Sequence, residues 1–207
     1  MFANMSKKAL HLGCGSNVLK GWLNTDRNAC GTVMYMDASK PFPFATSTFD
    51  YIFSEHMFEH LSYENGKDML KECYRTLKPG GILRLTMPTL DFLIRLYNEP
   101  SKEIHQRYAH WSLQQYAPQM YADFVCKGRE IPMAFVVNNF MHFWGHQMIY
   151  NVVVLRSMLE DVGFTNIVEC SIGQSEHPYL QGLEHHGDII PKWANELESM
   201  TVEATKY

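Results

Sequence analysis

Short apolar segments that end at a glycine or a polar residue recur along this chain, and helix-like segments separate the later ones. We predict strands over residues 9–12, 22–25, 32–36, 49–53, 82–87, 164–170 and 200–205. Strands that alternate with helices are typical of an α/β fold, because parallel neighbours need crossover connections. We therefore predict a doubly wound, mostly parallel sheet in a Rossmann-like fold, with the last two strands as an antiparallel edge hairpin.

Helix signals are clearest at two places. Apolar side chains fall on one helical face over residues 69–77, Ser62 suits the N-cap, and a Lys-Pro-Gly-Gly turn follows at 78–81. A second helix is predicted over residues 152–162, with Gly163 at its C-terminal end. Both helices connect predicted strands, as a doubly wound sheet requires.

The segment 91–150 interrupts this alternation and contains twelve aromatic residues. We interpret it as a helical insertion within a single domain that spans residues 1–207. One interpretation is a subdomain with its own small core. The other is a lid over the active site, since insertions after strands of such sheets line the ligand crevice.

Composition excludes several classes of function. The net charge is −4, so no basic face is expected for DNA or RNA. The five cysteines are odd in number and never form a C-x-x-C pair, which argues against a zinc site or a disulfide framework. We find neither a signal-type segment at the start nor an apolar run of the ~20 residues that span a bilayer. We therefore expect a cytoplasmic protein without membrane insertion.

Residues suited to ligand binding follow the first three predicted strands. Glycines at Gly13 and Gly15, on either side of Cys14, let the backbone turn sharply and approach a ligand closely. Asp26 follows the second strand and can accept both hydroxyls of a ribose, and Asp37 follows the third and can accept from an adenine amine. Because ligands bind at the carboxyl ends of such strands, these residues predict one nucleoside site.

The motifs around these residues resemble those of class I S-adenosylmethionine-dependent methyltransferases. The segments LHLGCG, NTD, MDASKPFPF, FDYIFSEHMFEHL and ECYRTLKPGGILRLTMP follow one another between residues 9 and 88. The most similar pattern is that of small methyltransferases associated with sugar and polysaccharide pathways, which the later segments WGHQMIY and QSEHPYLQGLEHHG also resemble.

The resemblance implies roles for particular residues. It places Gly13, Cys14 and Gly15 under the methionine part of S-adenosylmethionine, Asp26 at the ribose, and Asp37 with Ala38 at the adenine. It also implies that Ser54, Glu55 and His56 contact the cofactor and begin the substrate site. The acidic residues agree with a cationic sulfonium donor. The product would be S-adenosyl-L-homocysteine, and the acceptor a small molecule methylated on oxygen or nitrogen.

Two departures from the family pattern concern the loop after Gly15. Ser16 and Asn17 stand where the family has a third glycine, and Asp26 follows too soon for a full helix between the first strands. We therefore expect a compressed crossover over residues 16–21.

A hydroxyl acceptor needs a base, and histidine is the commonest general base near neutral pH. His146 is our first candidate, followed by His142 and His56, with Trp144 and Tyr150 as candidate substrate-binding residues. His142 and His146 also have metal-ligand spacing on a helix, but no third ligand has convincing spacing, so we expect no metal.

Two other functions remain open from the sequence. One is a nicotinamide-dependent oxidoreductase or sugar-nucleotide enzyme on a similar sheet, although Val18 stands at the last glycine of G-x-G-x-x-G. The other is a non-catalytic protein that keeps the cofactor pocket as a scaffold.

Overall fold

The structure, a computed structural model, describes residues 7–207; residues 1–6, part of the start where we expect no signal segment, lie outside the described residues. Seven strands form one sheet: β1 Ala9–Leu12, β2 Leu23–Asp26, β3 Met34–Tyr35, β4 Phe49–Glu55, β5 Leu77–Pro88, β6 Phe164–Cys170 and β7 Ser199–Lys206. Their order is β3-β2-β1-β4-β5-β7-β6. The first five strands pair in parallel, and β7 pairs antiparallel with both β5 and β6. This confirms the predicted Rossmann-like sheet with its antiparallel hairpin.

Eight α-helices accompany the sheet in the described part of the chain: α1 Tyr63–Thr76, α2 Leu90–Asn98, α3 Glu103–Tyr116, α4 Pro118–Phe124, α5 Met133–His142, α6 Val152–Val162, α7 His186–Ile189 and α8 Lys192–Glu198. The side chain of Ser62 caps α1 by accepting a hydrogen bond from the Asn65 amide. Gly163 ends α6 with a φ of 109°, a left-handed conformation that suits glycine. Local signals therefore set the ends of both predicted helices.

The turn predicted at 78–81 lies inside β5 rather than before it. Phe49 of β4 pairs with Leu77, whereas Tyr51 pairs with Ile82, so four residues of β5 bulge out of the ladder. The cause is that α1 runs directly into β5, and pairing begins before the Pro-Gly-Gly segment is complete.

The main apolar core lies between the sheet and helices α1 and α6. Leu10, Ile52 and Leu85 from the strands pack with Leu70 of α1 and Leu159 of α6. A second apolar cluster joins α2, α3, α5 and α8, which includes most of the insertion predicted over 91–150. The insertion leaves and rejoins the sheet at one place, where Thr89 and Tyr150 form an isolated parallel β-bridge.

The crossover from β1 to β2 is short, as expected, and contains turns in place of a helix over residues 13–22. The neighbouring face of the sheet is instead covered by the segment between β6 and α7. Leu180 and Leu183 of that segment pack with Phe53 and Trp22. Asn17 in the crossover donates a hydrogen bond to the carbonyl oxygen of Leu183.

A buried ion-pair network lies under the same segment. The Arg84 guanidinium is fully buried and lies 2.6 Å from a carboxylate oxygen of Glu184 and 2.6 Å from one of Glu203. Since an unpaired buried charge is costly, this network fixes the position of residue 184 against β5. Among the described residues, no helix combines the length and the apolar composition that a membrane span requires.

Candidate active site

The loop after β1, residues 13–18, is held by hydrogen bonds that its backbone amides donate to residues of β2. Gly13 and Gly15 have φ values of 64° and 51°, in the left-handed region that glycine adopts without strain. The Gly15 amide donates a 2.9 Å hydrogen bond to the Asp26 carboxylate, and the Cys14 amide donates to the carbonyl oxygen of Thr25. We call residues 13–18 the glycine loop.

A cavity of about 760 Å³ extends from the glycine loop to the helical insertion. Its size is in the range of small-molecule and cofactor sites. One wall consists of the glycine loop with Glu55 and His56, which follow from β4. The opposite wall is aromatic: Tyr108, Trp111, Tyr116, Phe140 and Trp144. A third wall comes from residues 185–190 together with Glu198 at the end of α8.

The predicted nucleoside residues are only partly in this cavity. Gly13, Cys14 and Gly15 line it, whereas Asp26, Asp37 and Ala38 lie outside its enclosed part. The Asp26 carboxylate also accepts from the Asn28 amide, so it supports the chain on both sides of the β2 end.

Two other members of the predicted set have structural partners. Asp37 accepts hydrogen bonds from the amide and the hydroxyl of Ser39, and these lower the pKa of its carboxyl. The buried hydroxyl of Ser54 donates to the carbonyl oxygen of Leu12, between β4 and β1. The Ser54 side chain does not line the cavity, because it is used to hold two neighbouring strands together.

Glu55 anchors the third wall of the cavity. Its two carboxylate oxygens accept 2.9 Å hydrogen bonds from the amides of His185 and His186. A carboxylate that receives two backbone amides is a strong and directional anchor. The GLEHH segment is therefore fixed to the end of β4, across a separation of 130 residues.

His56 connects the wall of the glycine loop with the third wall. It adopts a φ of 45°, and its ring stacks on that of His186 with the centroids 3.7 Å apart. Its Nδ1 is 3.3 Å from Oε1 of Glu59, and its Nε2 is 3.2 Å from the hydroxyl oxygen of Ser199. Burial disfavours the charged imidazole, but the Glu59 carboxylate outweighs this effect and raises the pKa of His56. A raised pKa favours the protonated imidazole, which makes His56 less suited than a neutral histidine to accept a proton.

His146 lies in the cavity wall with its ring fixed in one orientation. Its Nδ1 is 2.8 Å from the carbonyl oxygen of Phe140, so Nδ1 carries the proton and Nε2 keeps a free electron pair. Burial lowers the pKa of His146, which favours the neutral form. The ring of His60 lies edge-on to it, with the centroids 5.0 Å apart.

His142 lies away from the other predicted site residues. Its side chain is exposed at the C-terminal end of α5 and does not line the cavity. The helical spacing that relates His142 to His146 fails because α5 ends at His142, and Trp144 and Gly145 then adopt left-handed conformations.

The two predicted substrate-binding residues differ in position. Trp144 lines the cavity, is 45% exposed, and packs edge-on against Tyr116 at 5.0 Å. Tyr150 does not line the cavity, because its ring is buried in the main core against Phe58. Burial raises the pKa of Tyr150 to about 12, and its hydroxyl has no hydrogen-bond partner among the described residues.

Sequence reasoning missed several residues of the site. Glu59 is fully buried at the cavity wall, and Glu198 accepts a very short hydrogen bond from the Tyr108 hydroxyl. The signal for Glu59 was present in HMFEH, where an acidic residue and a histidine follow His56 at three and four positions. Glu198 and Tyr108 had no local signal, since their segments meet only in the folded chain.

Comparison with known proteins agrees with the resemblance that the motifs indicate. Residues 23–85 match the sequence profile of a family described as methyltransferase domain. The fold is similar to that of a SAM-dependent methyltransferase from Archaeoglobus fulgidus, with 16% identity and a TM-score of 0.53 over 98% of this chain and 87% of that one. A comparison with curated proteins found no match.

Two further solved structures have a similar fold. One is a SAM-dependent methyltransferase from Thermotoga maritima, described as a possible histamine N-methyltransferase, with 15% identity and a TM-score of 0.55 over 97% of this chain and 82% of that one. The other is an S-adenosylmethionine-dependent methyltransferase from Mesorhizobium loti, with 14% identity and a TM-score of 0.52 over 97% and 91%.

Proposed function

We propose an acceptor class and a catalytic residue for this chain, which is a class I S-adenosylmethionine-dependent methyltransferase by its fold and its methyltransferase-domain segment. S-Adenosylmethionine is the cofactor, which leaves the nicotinamide alternative without support. The proposed reaction is transfer of its methyl group to an oxygen or nitrogen of a small molecule, such as a sugar or a glycan precursor.

The residues of the glycine loop fit this cofactor. A Cβ built on Gly15 has no heavy atom within 4 Å, so open space lies directly against the backbone there. Glu55 lies beside this space, where its negative charge favours a cation, and Asp26 lies next to the loop for ribose binding. When bound, the cofactor supplies a methyl group on a sulfonium that leaves as a neutral thioether.

The cavity walls support a neutral or cationic acceptor. The residues that line the cavity include carboxylates and no lysine or arginine. A phosphate or a nucleotide needs such cations, so a nucleotide sugar is disfavoured as the acceptor. The aromatic wall can pack against the apolar face of a sugar ring and exclude water from the transfer. We propose that the insertion acts as the lid of this site.

We propose His146 as the catalytic residue at the acceptor. The observation that carries this is the hydrogen bond between Nδ1 and Phe140, which leaves Nε2 of a cavity-lining imidazole free to act. As a free imidazole, His146 would accept the proton that a hydroxyl acceptor loses. The new bond then forms between that oxygen and the methyl carbon while the carbon–sulfur bond breaks.

Transfer of a labelled methyl group to a panel of glycans, sugars, amines and small metabolites tests the function. His146→Ala is expected to lower turnover of the responding acceptor by about 10²–10⁴-fold, the usual worth of a general base. Binding of S-adenosyl-L-homocysteine should stay nearly unchanged. His142→Ala is the matched control, because His142 is exposed and outside the cavity.

Near wild-type turnover by His146→Ala would contradict the catalytic assignment. Cofactor binding without transfer to any acceptor would favour the alternative of a non-catalytic scaffold. Failure to bind S-adenosyl-L-homocysteine would contradict the function as a whole.

A further inference from the structure

Three potential metal ligands converge on the cavity where the sequence predicted none. One ligand atom each from Glu59, His60 and His146 lies within 4.8 Å of the other two. Two imidazole nitrogens and one carboxylate oxygen are the ligands of many catalytic transition-metal sites. All three residues line the same cavity as the glycine loop.

Glu59 provides an independent sign that a cation belongs here. The residue is fully buried, and neither of its carboxylate oxygens receives a hydrogen bond within the described residues. Nδ1 of His56 lies 3.3 Å from Oε1 but outside hydrogen-bond geometry. A buried carboxylate of this kind is costly unless a further positive group approaches it.

The backbone holds the three ligands together. Glu59 and His60 are neighbours in a short 3₁₀ turn over Phe58–His60. The carbonyl oxygen of Glu59 accepts from the amide of Gln147 at 2.8 Å, and the carbonyl oxygen of His60 accepts from the Gln147 side chain at 2.9 Å. These two hydrogen bonds fix the segment that carries His146 against the turn that carries the other two residues.

The orientation of His146 matches that of a metal ligand. Metal-binding histidines commonly donate their second ring N–H to a carbonyl or a carboxylate, which fixes the tautomer. His146 makes this contact through Nδ1 to the carbonyl oxygen of Phe140 at 2.8 Å. Nε2 is then the nitrogen that remains for a cation.

We propose that Glu59, His60 and His146 bind a divalent first-row transition-metal ion that holds the acceptor. Three protein ligands leave coordination positions open to the cavity, as in catalytic sites. The proposal rests on the proposed function and specifies how His146 acts, as a ligand in place of a free base. An acceptor hydroxyl that binds the ion loses its proton to water, and its oxygen electron pair then forms the bond to the methyl carbon. The electron pair of the broken carbon–sulfur bond stays on sulfur.

Titration of the chelator-treated, tag-free full chain with Co²⁺ tests the site directly. We expect one ion per chain, with visible absorption bands that Zn²⁺ abolishes. His60→Ala and Glu59→Gln should each weaken Co²⁺ binding by more than about 100-fold, since loss of an outer-shell partner alone costs 10–100-fold. His142→Ala, the matched control, should bind as wild type does.

Glu59 is buried, so the folding of Glu59→Gln is checked by circular dichroism and by S-adenosyl-L-homocysteine binding. His60 is half-buried and provides the second variant in case Glu59→Gln does not fold. Absence of Co²⁺ binding by the wild type, or wild-type affinity in folded His60→Ala, would overturn the proposal. Cofactor binding needs none of these three ligands, so failure of the wild-type chain to bind S-adenosyl-L-homocysteine would count against the proposed function instead.

Discussion

Replacement of Gly13 by alanine tests whether the glycine loop is fixed by packing as well as by its backbone conformation. A Cβ at this position would lie 2.3 Å from Cγ and 2.8 Å from Cβ of Met57. Real Cβ atoms do not approach other carbons so closely, so the loop or the segment after β4 must move. A forced increase in core volume typically costs about 1–3 kcal/mol.

The left-handed backbone adds a second cost. Alanine at a φ near 64° is disfavoured by about 1–2 kcal/mol. We therefore expect Gly13→Ala to lower the free energy of unfolding by about 2–5 kcal/mol. Gly15→Ala is the matched control, because Gly15 is also left-handed but has no atom within 4 Å of its Cβ position. It should lose only the backbone term, about 1–2 kcal/mol.

Urea unfolding followed by circular dichroism measures both losses. Titration with S-adenosyl-L-homocysteine should show weaker binding in both variants, since both residues line the cavity. Adding Met57→Ala to Gly13→Ala removes the Cγ contact and should restore part of the stability. Equal stability losses in Gly13→Ala and Gly15→Ala would refute the packing argument.

Three further predictions concern buried polar groups. Burial lowers the pKa of His11 to about 4, below its ordinary 6.5. The unfolded state therefore binds a proton at a higher pH than the folded state does. Acidification from pH 7.5 to 5 should accordingly lower the free energy of unfolding by about 2 kcal/mol. His11→Phe should remove most of this pH dependence in urea titrations, and an unchanged slope would contradict it. Arg84→Met leaves the Glu184 and Glu203 carboxylates unpaired, and thermal or urea unfolding should show a loss of about 3–5 kcal/mol. Tyr150→Phe removes a hydroxyl that has no hydrogen-bond partner among the described residues, so the free energy of unfolding and the turnover should both stay within error of wild type. A large loss of turnover would indicate that Tyr150 binds the substrate.

The sheet and the glycine loop were predictable because their signals are local. Ser62 and Gly163 mark helix ends by their own side-chain and backbone preferences, and Gly13 with Gly15 marks the loop after β1. Such positions depend on a few neighbouring residues. The sequence alone therefore predicts the conformation at these positions.

The cavity walls were only partly predictable, because distant segments form them. The sequence around Tyr150 does not distinguish an aromatic ring that packs in the core from one that binds a substrate. The spacing of His142 and His146 predicted a shared helical face, yet the helix ends between them. The histidine that does meet His146 is His60, which is brought there by the hydrogen bonds of Gln147.

The short crossover after β1 has a consequence for how the chain is made. Leu180 and Leu183 cover the face of the sheet that a crossover helix would otherwise cover. The hydrogen bond from Asn17 to Leu183 joins residues that are 166 positions apart in the sequence. During synthesis from the N-terminus, Phe53 and Trp22 therefore remain uncovered until residues 180–183 have left the ribosome. Contacts of such long range form slowly and expose apolar surface meanwhile. A premature stop before residue 180 would accordingly remove the support of the glycine loop as well as the final strand.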